Sequence, residues 1–465
     1  MNPTTPTPPD SSQPTFFETP DAPVIAAGPA TPSAPPRLRP IQRYQIEMRT
    51  ESLDQRLPDD HPVRAVWAYV EKLDLSPLYE KIRAVEEHPG RNATDPRVLV
   101  CLWLYATIDG VGSARKLDEL CQTDRVYEWI CGGASLNYHT LSEFRVAHGE
   151  ALDQLMTSSV ASLLHQGLVD LRRVAQDGMK VRASAGSSSF RRRPTLQRCL
   201  EEAEGQVKAL QKQLEEDSAG ISRRQQAAQE RAARERVRRV EQALREREEL
   251  AKLREQQKRD KGIKYDPEEL RGSTTDPEAR KMKMGDGGFR PAYNVQFATA
   301  TDSQVIVGVD VIQSGSDGGQ MQPMVQQIEQ RYGEAPQEYL ADGGFSTLDD
   351  IEKVSTPERG TKVYTPVKDE DKKRAAGVDP FAPRAKDSPT LAEWRQRMGT
   401  EEAKRIYAER ASTAECVNAQ ARNRNLYQFR VRGLRKVKII ALWYAFAQNV
   451  MRALALRTTQ GLAGP

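Results

Sequence analysis

Three carboxylates sit where this chain could use them for metal-assisted chemistry. Asp177 ends the run Val174-Ala175-Gln176 and is followed by Gly178-Met179-Lys180. Asp342 ends Tyr339-Leu340-Ala341 and is followed by Gly343-Gly344-Phe345-Ser346. Glu415 shares a long helical stretch with Tyr407, Arg410 and Arg422. At 100° per residue those four fall within an arc of about 140°, with Glu409 pointing to the other side. Carboxylate oxygens are hard ligands that suit Mg²⁺, which keeps few protein ligands and completes its shell with water and phosphate. Two such ions about 4 Å apart activate a water or a 3′-hydroxyl and stabilise the leaving oxygen of a phosphodiester, with no protein nucleophile required. A carboxylate flanked by a phenol and two guanidiniums also suits a site that grips phosphates. Each acid alone has a plainer reading. Asp before Gly is ordinary turn chemistry, and an Arg–Glu helix face is ordinary surface pairing.

The elements around these acids must bring them together. A strand that ends on an acid and a glycine turn places that acid where open sheets bind ligands, and glycine lets backbone approach closely. Residues 168–182 read as an extended segment, with Val169, Leu171 and Val174, running to Asp177-Gly178-Met179-Lys180. Residues 293–299 and 304–311 alternate as two strands joined at Thr301-Asp302-Ser303, a hairpin. A helix over 321–332, the strand to Asp342, a short helix from about Ser346-Thr347 carrying Leu348 and Ile351, and a strand over 362–366 follow. Residues 369–389 are charged and Pro-rich, which predicts a mobile loop. Residues 391–425 and 436–456 read as helices. This order predicts α/β architecture with a mixed sheet.

The remaining segments have other compositions. The 465 residues are 38% hydrophobic and 29% charged, so a long polar element or disorder dilutes the core. Residues 1–40 are rich in Pro, Thr and Ser and read as disordered. Residues 59–165 have helical spacing: Val63, Val66, Trp67, Val70 and Leu73 form one stripe. Asp95-Pro96 and Ser113 look like helix starts, and Thr140 with Glu143 has capping-box spacing. This domain has helix-turn-helix character, which would put Arg145, Arg115 and Lys116 on phosphates; a bundle that only packs is the alternative. Leu196, Leu200, Ala203, Val207, Leu210 and Leu214 form a heptad seam. Val237, Val240, Leu244 and Ala251 resume it beyond a break near Gly220. Two helices folded back as a coiled hairpin fit this best, with one long dimerising helix or a solvated charged helix as alternatives.

Charge and cysteine usage narrow the class. The net charge is +4, yet no Asp or Glu follows Glu415, while Arg422, Arg424, Arg430, Arg432, Arg435, Lys436, Lys438, Arg452 and Arg457 do. Such asymmetry fits a polyanion partner or a solvated basic tail. The five cysteines form no CxxC pair and the five histidines lack ligand spacing with them, which argues against a zinc site or a disulfide framework and reads as cytosolic. The first forty residues do not read as a signal peptide, and no apolar run of about 18 residues predicts a membrane span.

As a set, these motifs resemble the DDE transposases of bacterial insertion sequences. Asp177-Gly178-Met179-Lys180 resembles that family's first-Asp motif, and Leu340-Ala341-Asp342-Gly343-Gly344-Phe345 its second. Thr275-Asp276-Pro277-Glu278-Ala279-Arg280 through Tyr293-Asn294-Val295-Gln296 resembles its "TDP-A-R … G-YN-Q" segment. Tyr407, Arg410 and Glu415 resemble its Tyr-Arg-Glu-Lys signature, with Arg422 where the signature has Lys. The helical region 59–165 is similar to its N-terminal domain. The resemblance implies an RNase H-like mixed-sheet catalytic core over 166–457, an all-α DNA-binding domain over 41–165, a coiled-coil helical hairpin inserted at 195–261, and a flexible end at 458–465. It implies strand cleavage and strand transfer catalysed by Asp177, Asp342 and Glu415 holding two Mg²⁺, with Mn²⁺ able to substitute. Tyr407, Arg410, Arg422, Arg430, Arg432, Arg435, Lys436 and Arg145 would contact DNA. The expected partners are double-stranded DNA, as terminal inverted repeats and target, and a second copy in a synaptic homodimer. No membrane is involved, and the expected location is the cytoplasm at the bacterial nucleoid. The rival reading is a non-catalytic, oligomeric DNA-binding scaffold whose acids serve only as caps.

Overall fold

The structure is a computed structural model that describes residues 48, 50–82, 84, 92–216, 223–262 and 264–461. The Pro-rich segment 1–40, the break expected near Gly220 and residues 462–465 lie outside these.

Among the described residues, seven α-helices precede the first strand: α1 (Pro62–Glu71), α2 (Ser76–Tyr79), α3 (Pro96–Ile108), α4 (Ala114–Thr123), α5 (Arg125–Cys131), α6 (Tyr138–Ala147) and α7 (Gly149–His165). Side chains close their open ends. Asp95 accepts from the Arg97 N–H, Ser113 from Lys116, and Asp124 from Val126 and Tyr127, satisfying amides that a helix start leaves without partners. At α6 the cap is Asn137, which accepts from His139 and Thr140. The expected Thr140–Glu143 box does not form, because Thr140 already lies inside the helix. The apolar run of α3 is buried on nearly every side, from Leu99 to Leu104.

The strands are β1 (Arg173–Arg182), β2 (Phe190–Arg191), β3 (Gly272–Ser273), β4 (Arg280–Lys283), β5 (Phe289–Ala300), β6 (Ile306–Ile312), β7 (Glu338–Ala341) and β8 (Lys362–Tyr364). β2 and β3 form a separate pair; the other six make one mixed sheet. β1 runs antiparallel to β5 on one side and parallel to β7 on the other, and β7 is parallel to β8. β4 and β6 both pair antiparallel with β5. Val174, Ala175, Met179 and Val181 of β1 are all buried, as a strand covered on both faces requires. Gln176 is opposite Ala341 in the β1–β7 register. Asp177, midway along β1, and Asp342, just past the end of β7, therefore stand at the same level on neighbouring strands.

Between β1 and β4 stand α8 (Arg193–Glu216) and α9 (Arg223–Lys261). They pack against each other as a hairpin: Leu196 and Ala203 of α8 are buried, as are Ala233, Val240 and Ala243 of α9. Arg236 lies 3.8 Å from Glu202 across the pair. After β6, α10 (Met321–Tyr332) is capped by Asp350 of α11 (Leu348–Val354), which accepts from Met321 N–H at 3.0 Å and Gln322 N–H at 2.9 Å.

The stretch 369–389, expected as a loop, contains α12 (Glu370–Ala375) and Asp387, which pairs with the buried Arg395 at 2.6 Å. The expected single helix over 391–425 is several elements. α13 (Pro389–Met398) ends at Gly399, where a Cβ would lie 3.0 Å from the Phe381 ring. Thr400 then caps α14 (Glu401–Arg410), a π-helical turn spans Ala411–Glu415, and α15 (Cys416–Asn423) continues. The last helix, α16 (Leu434–Thr459), ties the layers together. Its Asn449 amide bonds both backbone groups of Ile306 in β6 at 2.7 Å, and its Trp443 indole donates to the Arg145 carbonyl at 3.0 Å. Among the described residues it is the one helix long and apolar enough to cross a membrane, and 72% of that apolar window is buried inside the protein.

Candidate active site

The two aspartates are held by different devices. Asp177 Oδ1 accepts from the Gly178 N–H at 2.9 Å, and its Oδ2 accepts from Asn418 Nδ2 of α15 at 2.9 Å. Asp342 Oδ1 accepts from the Gly344 N–H at 2.8 Å, so its glycines form the tight turn that the sequence implies. Gly178 must be glycine for a steric reason. A Cβ there would overlap the Asp317 carboxylate and lie 2.6 Å from Gln296 Nε2.

Glu415 reaches the same region through the π-helical turn. The turn packs on β1 and β5. On a regular helix, residues 410 and 415 would be about 140° apart. A π turn adds a residue to the turn and brings them together: Arg410 Nη2 meets Glu415 Oε1 at 2.5 Å. The Arg410 guanidinium also lies 5.7 Å from the centre of the Tyr407 ring. Glu409, on the other side as expected, pairs with Arg173 at 2.5 Å, and Arg173 also holds Glu338 at 2.6 Å.

Electrostatics link the three acids. Burial, and next the charge of Asp342, push the Asp177 carboxyl up to about 6, against the opposing pull of Arg410, the Gly178 amide and Asn418. Arg410 feels both Asp177 and Glu415. Burial raises the Tyr407 phenol, and Asp342 and Glu415 both act on it in the same direction. Asp177, Asp342 and Glu415 thus lie within one electrostatic neighbourhood around Arg410 and Tyr407.

The expected DNA contacts divide. Arg422, Arg430, Arg432, Arg435 and Lys436 are exposed; Arg432 also donates to the Ser184 carbonyl at 3.2 Å. Arg145 is a correction. It is 7% exposed, lies 4.4 Å from the centre of the Trp103 ring and donates to the Gly112 carbonyl at 2.7 Å. This arginine fastens α6 to the α3–α4 turn and does not face solvent. Arg115 and Lys116 are exposed, Arg115 over the Tyr138 ring and Lys116 paired with Glu119.

Sequence reasoning missed a second set of residues. Asn418 is 2% exposed and lies three positions after Glu415, hence on the same helix face one turn on, a spacing that could have flagged it. Asp317 carried no such signal. Its Oδ1 accepts from Asn294 Nδ2 and Gln296 Nε2, both at 2.7 Å. Gln296 is also bonded to Gln176, which accepts from the Tyr339 hydroxyl at 2.7 Å. A buried polar chain therefore runs from β7 through β1 and β5 to Asp317.

The donor set suits a hard divalent cation. Two carboxylates whose charges oppose each other gain from a shared cation, and the Asn418 amide oxygen is buried with no hydrogen-bond partner. As placed, no group of three or more His, Cys, Asp or Glu among the described residues is gathered closely enough to hold an ion, and Glu415 is turned onto Arg410.

Comparison with known families gives two matches. The Transposase domain (DUF772) matches residues 51–147, and the Transposase DDE domain matches residues 380–454. The second range contains Tyr407, Arg410, Glu415 and Asn418; Asp177 and Asp342 lie outside both. No curated protein and no solved structure matches the chain.

Proposed function

These two matches support a DDE transposase of the insertion-sequence type, and on that premise we propose that the chain cleaves DNA strands at the ends of an element and joins them to target DNA. Asp177, Asp342 and Glu415 are the catalytic acids, and the sheet with its flanking helices is an RNase H-like core. When bound, two Mg²⁺ ions supply Lewis-acid activation of the attacking oxygen and stabilisation of the leaving one. Asp177, midway along β1, and Asp342, at the end of adjacent β7, would hold the cations. Glu415 joins them by turning off Arg410. Asn418 keeps Asp177 ionised and oriented. Arg410, once released, is placed for a bidentate grip on a phosphate, and Tyr407 stiffens it by stacking.

The exposed arginines and lysine from Arg422 to Lys436 contact the backbone of the cleaved end, and the helical region 41–165 reads the terminal inverted repeats. Most of the affinity comes from phosphates. Synapsis of two ends requires a homodimer, with the α8–α9 hairpin as its contact. The observation that most supports this reading is the shared neighbourhood of Asp177, Asp342, Glu415 and Arg410, with Asp177 midway along β1 beside the carboxyl end of β7. The test is cleavage of a labelled element end with Mg²⁺ or Mn²⁺. Asp342→Ala and Glu415→Ala should each abolish it while DNA binding persists. Undiminished cutting by either variant refutes the assignment, and DNA binding with no cutting by the unmodified protein favours the scaffold.

A further inference from the structure

A groove of about 700 Å³ lies between α9 and the β4 edge of the sheet. Leu253 and Arg254 line it from α9, Lys281 and Lys283 from β4, and Ser314-Gly315-Ser316 close one end. Its floor is apolar: Phe190 and Met282 are buried beneath it, while Leu253 of α9 is 57% exposed. Its rim is cationic. Arg280 is neutralised by Glu246 at 2.5 Å, and Glu269 is paired with Arg192. Among the described residues, no carboxylate stands within ion-pair distance of Arg254, Lys281 or Lys283, which are all exposed.

Ser316 on the groove wall leads to the turn that carries Asp342. It precedes Asp317, whose carboxylate fills the space beside Gly178, on the face of β1 opposite the Asp177 side chain. Asp317 Oδ2 would also be 3.6 Å from a Cβ on Gly344, two residues past Asp342.

We propose that this groove holds a few nucleotides of unpaired DNA strand near the cut, with phosphates on Arg254, Lys281 and Lys283 and a base against Leu253. This rests on the transposase reading. A cationic groove that tracks the backbone binds single strands without reading sequence, and the exposed leucine gives one base an apolar face to lie on. The volume is that of a small-ligand site, whereas a duplex presents a major groove alone about 12 Å wide. An acidic peptide would use the cations but gain little from the exposed leucine.

The test is fluorescence anisotropy without divalent metal, so that nothing is cut. Two labelled probes are compared: a blunt duplex, and the same duplex with a short single-stranded overhang. The unmodified protein should bind the overhang probe more tightly. The triple variant Arg254→Glu, Lys281→Glu, Lys283→Glu should lose that preference, and its salt slope on the overhang probe should fall by about 2, at roughly 0.7 per phosphate contact on a single strand. Leu253→Asn should reduce the preference several-fold and leave blunt-duplex binding unchanged. These side chains are exposed, so the variants should fold. Equal binding of both probes by the unmodified protein, or an unchanged slope in the triple variant, overturns the proposal. Loss of self-association with DNA binding intact would also overturn it, by giving the groove to a second copy. Cleavage is scored separately. An inactive protein that keeps its overhang preference removes the transposase assignment and leaves the groove, whereas an active one indifferent to the three reversals removes the groove alone.

Discussion

Replacing Asn418 by alanine should move the acid limb of both metal binding and cleavage to higher pH. Asn418 Nδ2 donates to Asp177 Oδ2 at 2.9 Å from a buried position. A hydrogen bond to a charged group contributes about 1.5–3 kcal/mol, and a shift of one pH unit corresponds to about 1.4 kcal/mol. Loss of this bond should therefore raise the Asp177 carboxyl by about one to two units. Its starting point is about 6, where burial and Asp342 have already pushed it. At pH 7 the ionised fraction should fall from about nine-tenths to about half or less. Mn²⁺ affinity should fall in proportion, because a cation competes with the proton for the same oxygens. Mn²⁺ titrations followed by electron paramagnetic resonance from pH 5 to pH 9, with cleavage rates alongside, read the effect. Recovery toward wild-type behaviour at the alkaline end is part of the expectation. A uniform loss at every pH, with the midpoint in place, would show that Asn418 only fills space and that the account of Asp177 is wrong.

Other expectations follow from the same neighbourhood. Gly178→Ala forces a methyl group into the Asp317 carboxylate and towards Gln296 Nε2; it should cost about 1–3 kcal/mol in urea denaturation and abolish cleavage. Asp177→Asn should stabilise the metal-free protein at pH 7. The folded state raises this carboxyl from 3.8 to about 6, so ionisation costs stability above the higher value and nothing below the lower one. The gain should be on the order of 2–3 kcal/mol at pH 7 and vanish by about pH 3 in paired denaturation curves. Tyr339→Phe removes the donor to buried Gln176 and should cost about 1–3 kcal/mol by the same measurement, since the acceptor is left without water or partner.

Much of the frame was legible because it rests on period. The hairpin of β5 and β6, the strand into Asp342, α10 and the buried α3 all follow from alternation or helical spacing in short windows. Proline and a carboxylate at Asp95-Pro96, and the hydroxyl of Ser113, mark real helix starts. What escaped was set by contacts between distant segments. Arg145 looks like a surface cation in sequence, and only the packing of α6 on Trp103 and the α3–α4 turn makes it interior. The stretch 369–389 looks like a loop because its prolines and charges hide Asp387, which is there to meet Arg395. The break at Gly399 depends on Phe381 approaching from eighteen residues away. Asp317 sits in a Ser-Gly-Ser-Asp-Gly-Gly run with no periodicity, and its place beside Gly178 is fixed by Asn294 and Gln296 from another strand.

The π-helical turn shows why a helical-wheel argument found the right residues with the wrong geometry. Placing Arg410 and Glu415 on one broad arc needed no contact between them, yet the extra residue in Ala411–Glu415 brings them to 2.5 Å. That pair is open on one side. The Glu415 side chain is 53% exposed and that of Arg410 is 14% exposed, so Glu415 can turn into solvent while Arg410 needs another anion in its place, which a substrate phosphate would supply. Asp177 is different: strand backbone, the Gly178 amide and buried Asn418 fix it, and moving it would strip several bonds at once. The site therefore pairs a rigid acid on the sheet with a movable acid on the helix. Under the proposed chemistry the movable acid is the one that must turn, and its turning frees Arg410 for the substrate. That one rotation would complete the acidic set and place a guanidinium fork beside the phosphate.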